Sequence, residues 1–101
     1  MITVSPQIGE FLIKVTQLPD IEAALKRVLT EYLDLKISDL KGKIKGYELK
    51  WKMTFKEFEG ACKNKTLKTD VYSYEVEKDF WEWEGLESVL KYYEDAKSRW
   101  I

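Results

Sequence analysis

Eighteen carboxylates and one thiol make up most of the reactive inventory of this 101-residue chain, which contains no histidine. Without an imidazole, neither a nucleophilic triad nor the usual zinc-ligand set can be assembled. The sequence also lacks a glycine-rich phosphate loop and a paired-cysteine motif. Two carboxylate pairs share a helix face, Glu75 with Asp79 and Glu84 with Glu87. Neither has an identifiable third group to recruit it as a metal ligand or general acid. Glu82 and Glu84, two residues apart, point about 200° apart on a helix and form no dyad. Tyr47 among its lysines is where histidine-free hydrolytic chemistry would have to sit. Cys62 has nothing beside it to activate a thiolate and reads as a packing residue. The expectation is therefore a non-enzymatic protein with no cofactor and no metal.

The stretch that must be explained instead is Ser73 to Glu84, SYEVEKDFWEWE. On a wheel advancing about 100° per residue, Tyr72, Val76, Trp83, Leu86 and Leu90 fall on one side, flanked by Phe80 and Tyr93. That is an ordinary core stripe. Tyr74, Trp81 and Tyr92 fall nearly opposite, with the small residues Gly85 and Ser88 between them. A helix packed on one side has no need of this second stripe. Either the helix is central and buried on both sides, or some of these aromatics simply lie exposed, or the stripe is a contact surface, for which Trp and Tyr are the favoured residues.

Charge is segregated although the net value is only −1. Residues 36 to 56 carry seven lysines (Lys36, Lys41, Lys43, Lys45, Lys50, Lys52, Lys56) against Asp39 and Glu48, a balance of +5. Residues 70 to 95 carry nine acids against Lys78 and Lys91, a balance of −7. The two segments either pair with each other or each address a partner of opposite sign. Lys43, Lys45, Tyr47, Lys50 and Lys52 form the candidate nucleic-acid surface, since lysines attract phosphates and aromatics stack on bases. With only two arginines in the chain, this reading is disfavoured. Fifteen of seventeen basic residues are lysines, a tendency of proteins from hot environments. A thermophilic prokaryote fits. No apolar run reaches the roughly 18 residues of a membrane span, and no basic leader is present, so the expected location is cytoplasmic.

Taken in order, residues 1 to 5 suggest a short strand or a loose end. Ser5 and Pro6 open a helix over about 6 to 18, with Ile8, Phe11, Leu12, Val15 and Leu18 at helical spacing; a strand over Phe11 to Val15 is the rival. The strand-helix-helix order of residues 1 to 34 resembles ribbon-helix-helix repressors, but Met1 to Ser5 offers no Arg, Lys, Asn or Gln to read base edges. Asp20 caps a second helix with two apolar stripes. Ile21, Leu25, Val28, Tyr32 and Leu35 make the first; Leu33, Ile37, Leu40, Ile44, Tyr47 and Trp51 make the second, roughly 100° further round. Such a helix must wrap a curved partner or break near Leu35 to Ser38, and Gly42 and Gly46 weaken its second half. Thr54 and Glu57 spell a capping box, with Met53 and Phe58 placed as its staple, for a short helix from about 55 to 63. Asp70 or Ser73 caps a last helix running to about Arg99. The whole predicts one domain over 1–101. Its fold class is all-α, a small bundle of three to five helices with one long, bent or straight central helix and a long C-terminal acidic aromatic helix.

The run Lys52 to Glu59, KMTFKEFE, followed by Ser73 to Glu84, resembles a family of small charged proteins from archaea and cyanobacteria. These show a Gly-Met-Ser/Thr-Phe-Glu-Glu-Phe run and then an acidic helix ending in Glu-Trp-Glu, and tend to be encoded beside a small TumE-type toxin. The similarity spans about residues 45 to 95, with Lys52 where the family often has Gly and Lys56 where it often has Glu. It implies an antitoxin-like partner protein that masks a small basic toxin. On that view Tyr74, Trp81 and Tyr92 anchor the partner while Glu75, Glu77, Glu82 and Glu84 steer it. A self-associating scaffold, as a homodimer, is the alternative.

Overall fold

A computed structural model describes residues 5 to 100, and every regular element in that span is a helix: α1 (Pro6–Thr16), α2 (Ile21–Trp51), α3 (Phe55–Asn64) and α4 (Tyr74–Trp100). The all-α expectation holds, with α2 as the long central helix and α4 as the long C-terminal one. Of residues 1 to 5, read as a short strand or a loose end, all but Ser5 lie outside the described residues. Phe11 to Val15 is helical, which removes the strand alternative there.

Each start is set by a local cap. Ser5 accepts a hydrogen bond from the Ile8 amide at 3.3 Å, and Pro6 follows at the first helical position. Asp20 accepts from the Ala23 amide at 2.7 Å. At α3, the Thr54 hydroxyl accepts from the Glu57 amide at 3.2 Å while the Glu57 carboxylate accepts from the Thr54 amide at 2.9 Å. Those bonds favour the ionised acid and hold the Glu57 carboxyl below its usual range. Met53 and Phe58 both join the core, as the staple requires. Ser73 opens α4, its hydroxyl accepting from the Val76 amide at 3.4 Å. Three chain reversals, at Gln17, Lys52 and Lys65, use left-handed backbone without glycine.

α2 is unbroken over 31 residues, so neither a break near Leu35 nor a curved partner is needed. Its two stripes meet two different neighbours. The first reaches α1 only at its start, where Ile21 lies over Gly9 and Ala24 beside it is buried; its later members Tyr32 and Leu35 are exposed. The second faces α4, where Leu40 and Ile44 are buried. α4 returns antiparallel along α2, its register marked by Lys50 with Glu75 (3.0 Å), Lys41 with Glu94 (3.8 Å), and Lys97 with Asp34. α3 closes the end where α2 stops and α4 begins.

The core lies at that closed end. Ile44, Phe58, Val76 and Trp83 are buried, ringed by Tyr47, Trp51, Met53, Phe55, Phe80, Leu86 and Leu90. Trp83, fully enclosed, stacks on Tyr47 (5.6 Å between centroids, 15°) and meets Phe58 at 5.2 Å and Phe55 at 5.5 Å. Among the described residues one charged group is buried here. Asp79 is 4% exposed and accepts from Trp51 Nε1 at 2.9 Å and from Lys50 Nζ at 2.6 Å. Tyr72, expected on the core stripe, is exposed in the turn ahead of α4, because the helix starts only after Ser73; the Lys65 ammonium sits 5.5 Å above its ring. The molecule measures 58 × 22 × 19 Å, a shaft rather than a ball.

Candidate partner-binding face of the last helix

Because Val76, Asp79 and Trp83 turn inward, the opposite side of α4 is fixed as its outer ridge. Tyr74, Trp81 and Tyr92 stand on it, 78%, 67% and 70% exposed. Over 18 residues the ridge runs about 27 Å. Trp81 is braced edge-on by Phe80 (5.7 Å, 90°), and Tyr92 by Tyr93 (5.9 Å, 68°). Phe80 is itself packed against the core, and Tyr93 is half-buried.

A depression flanks the ridge on each side. Between α2 and α4 lies a groove of about 610 Å³, lined by Lys43, Gly46, Tyr47, Glu82, Gly85 and Val89 among others. Gly46 and Gly85 leave open space where side chains would stand, which is why two packed helices keep a trough between them. Between α3 and α4 is a smaller cleft of about 280 Å³, with Cys62, Val76, Phe80 and Trp81 in its wall and Glu59 and Glu77 beside them. Burial pushes the Cys62 thiol up, away from nucleophilic character. Among the described residues no group of His, Cys, Asp or Glu could hold a metal ion, and no helix is long and apolar enough to cross a membrane.

The acidic residues assigned to steering divide into two pairs. Glu75 is bonded to Lys50, and Glu82 accepts from the Tyr47 hydroxyl and lies 3.8 Å from Lys78. Glu77 and Glu84 make no ion pair among the described residues. Segregated charge is thus spent partly within the molecule. The lysine surface is affected in the same way. Tyr47 is stacked on Trp83 with its hydroxyl committed to Glu82, a bond that with burial pushes the phenol up to about 12. Asp79 and then Glu75 hold the Lys50 ammonium above its usual range. Lys43 pairs with Asp39 at 3.3 Å, while Lys45 and Lys52 point to solvent. One face of the Tyr47 ring is taken by Trp83, and its hydroxyl is bonded to Glu82.

The sequence reading missed the cleft residues Glu59 and Cys62 and the groove residues Gly46 and Val89. Their meeting with α4 depends on the α2/α4 register, for which the sequence holds no local signal; only the two facing glycines could have hinted at a trough. No family model, curated protein or solved structure matches this chain.

Proposed function

We propose that this chain is a non-catalytic protein-interaction module, antitoxin-like, that binds and masks a small basic partner through the outer ridge of α4. The observation that carries the reading is the exposure of Tyr74, Trp81 and Tyr92 on the side of α4 opposite its core. Large aromatics at low entropic cost are the residues that dominate interface energetics. Here they stand in a row beside two troughs able to receive a partner's apolar side chains. Glu77 and Glu84, and more weakly Glu75 and Glu82, supply a negative field that favours a basic surface and raises its encounter rate. The resemblance to proteins encoded beside small toxins gives the partner its class.

The experiment is co-purification of the tagged chain with the product of the adjacent gene, repeated with Trp81→Ala and Tyr74→Ala. The expected result is a stable complex that either substitution weakens by at least about tenfold, as loss of a hot-spot aromatic does. A complex indifferent to both changes, or none at all, refutes the reading.

A further inference from the structure

The end of the shaft away from the core is built differently. Lys97 pairs with Asp34, so less than one turn of α4 remains beyond that point, and Ile21 to Thr30 of α2 run past it with α1 as their packing partner. The contact between α1 and α2 closes on two small residues, with Leu12, Ile13 and Leu25 half-buried. Gly9 and Ala24 are buried, and a methyl at Gly9 would come within 2.8 Å of Ile21 Cδ1. Several large apolar residues are left outside. Ile8, Phe11 and Val15 form an i, i+3, i+7 stripe on α1, and Leu29, Tyr32 and Leu35 lie exposed on α2; Phe11 is 66% and Leu35 73% exposed.

We infer that this hairpin, residues 5 to 35, is a homodimerisation surface, on which α1 and the first half of α2 from two copies form a four-helix bundle. Area supports a second copy. A compact chain of 12.0 kDa should expose about 6,000 Å², whereas this one exposes 7870 Å². The excess, about 1,900 Å² per chain, is in the range that each partner of an obligate dimer hides. The radius of gyration, 19.7 Å against about 13 Å for a compact chain of this length, says the same. Charge decides between a copy and a foreign protein. The hairpin carries Glu10, Asp20, Glu22, Glu31 and Asp34 against Lys14, Lys26 and Arg27, a balance of −2. Of these acids, Glu10 is paired with Lys14, Asp34 with Lys97, and Asp20 caps α2. A nearly neutral patch can face its own image across a two-fold axis without like-charge conflict. The outer side of α4, where Glu77 and Glu84 make no ion pair among the described residues, suits such a self-contact less well. Dimerisation at this end leaves both α4 ridges free for the partner proposed above.

Sedimentation equilibrium of the full chain should give twice the 12.0 kDa chain mass at concentrations up to about 100 μM. Phe11→Asp and Leu35→Asp, made separately, change side chains already exposed in the single chain. Each should leave helical circular dichroism intact and raise the dimer dissociation constant at least about a hundredfold. Trp81→Ala should leave the dimer intact. Should the aspartate variants unfold, amide exchange on dilution of the unaltered chain decides the matter: protection must fall over residues 8 to 35 and not over 74 to 92. A monomer at the highest concentration, a mass above two chains, a dimer that survives both aspartates, or one lost with Trp81 overturns the inference.

Discussion

Two tryptophans two residues apart on α4 should differ several-fold in what they contribute to the fold. Trp83 is 0% exposed and touches three other aromatic rings, so Trp83→Ala both loses its transfer energy and opens a cavity, at about 3–5 kcal/mol. For a protein of this size the total is roughly 5–15 kcal/mol, and six buried apolar residues put it in the lower part of that range. Trp81 hides only a third of its surface, roughly 80 Å² of a side chain that can bury about 250 Å². At about 25 cal/mol per Å² that is near 2 kcal/mol. Part of this cover persists in the unfolded chain, and alanine regains about 0.5 kcal/mol of helix propensity. The net expectation for Trp81→Ala is about 1 kcal/mol. Urea unfolding followed by far-ultraviolet circular dichroism, at one fixed protein concentration because a dimer's stability depends on it, separates the two. With a slope of about 1.5 kcal/mol/M, the midpoint should fall by roughly 0.7 M for Trp81→Ala and by 2 M or more for Trp83→Ala. Equal losses, or a Trp81→Ala loss above about 3 kcal/mol, would show that the outer ridge is core and remove the basis of the proposed function.

Asp79→Ala leaves Trp51 Nε1 without its buried acceptor and should cost about 3 kcal/mol, whereas Asp79→Asn keeps an oxygen for the indole and should cost less; the reverse order in denaturant titrations would contradict the geometry. Tyr47 has its folded pKa raised from 10.0 to about 12, so its bond to Glu82 contributes fully below pH 10 and is lost as pH climbs toward 12. Tyr47→Phe should flatten that alkaline limb of a stability-versus-pH curve; an unchanged limb would assign the loss to other groups. Lys52 ends α2 at φ 56°, a left-handed position that costs a non-glycine residue about 1 kcal/mol. Lys52→Gly should therefore raise the melting temperature by several degrees, and a fall would mean that the lysine stem contributes more than the strain.

Helix ends were legible in the sequence because caps are local. Ser5-Pro6, Asp20, Thr54 with Glu57, and Ser73 each satisfy amides within three residues. The one misplacement among the core aromatics, Tyr72, came from extending the helical period back across the cap that ends it. The offset between the two stripes of α2 was equally legible, but its meaning was not. Periodicity states which side of a helix is apolar and says nothing of what covers that side, so one unbroken helix with two neighbours looked the same as a broken helix with one. Pairing across α2 and α4 was beyond reach for the same reason. That Lys50 would meet Glu75 and Asp79, and Tyr47 meet Glu82, follows from an antiparallel register that no short-range pattern encodes.

That register also decides how the charge pattern relates to function. Had the +5 and −7 segments lain apart, each would have been a long-range attractor for an oppositely charged partner. Folded antiparallel, they join at Lys50 with Glu75 and Asp79 and at Lys41 with Glu94, with Lys97 and Asp34 further along. Exposed ion pairs add little stability, with a median below about 1 kcal/mol, but they disfavour a slipped alignment of two helices whose facing stripes would tolerate one. What remains outward on α4 is a row of aromatics bordered by Glu77 and Glu84. In an interface built on such a ridge, apolar contacts set the dissociation rate and the residual carboxylates mainly set the approach. The aromatic stripe, not the acidity that first draws the eye in the sequence, is where affinity for a partner would reside.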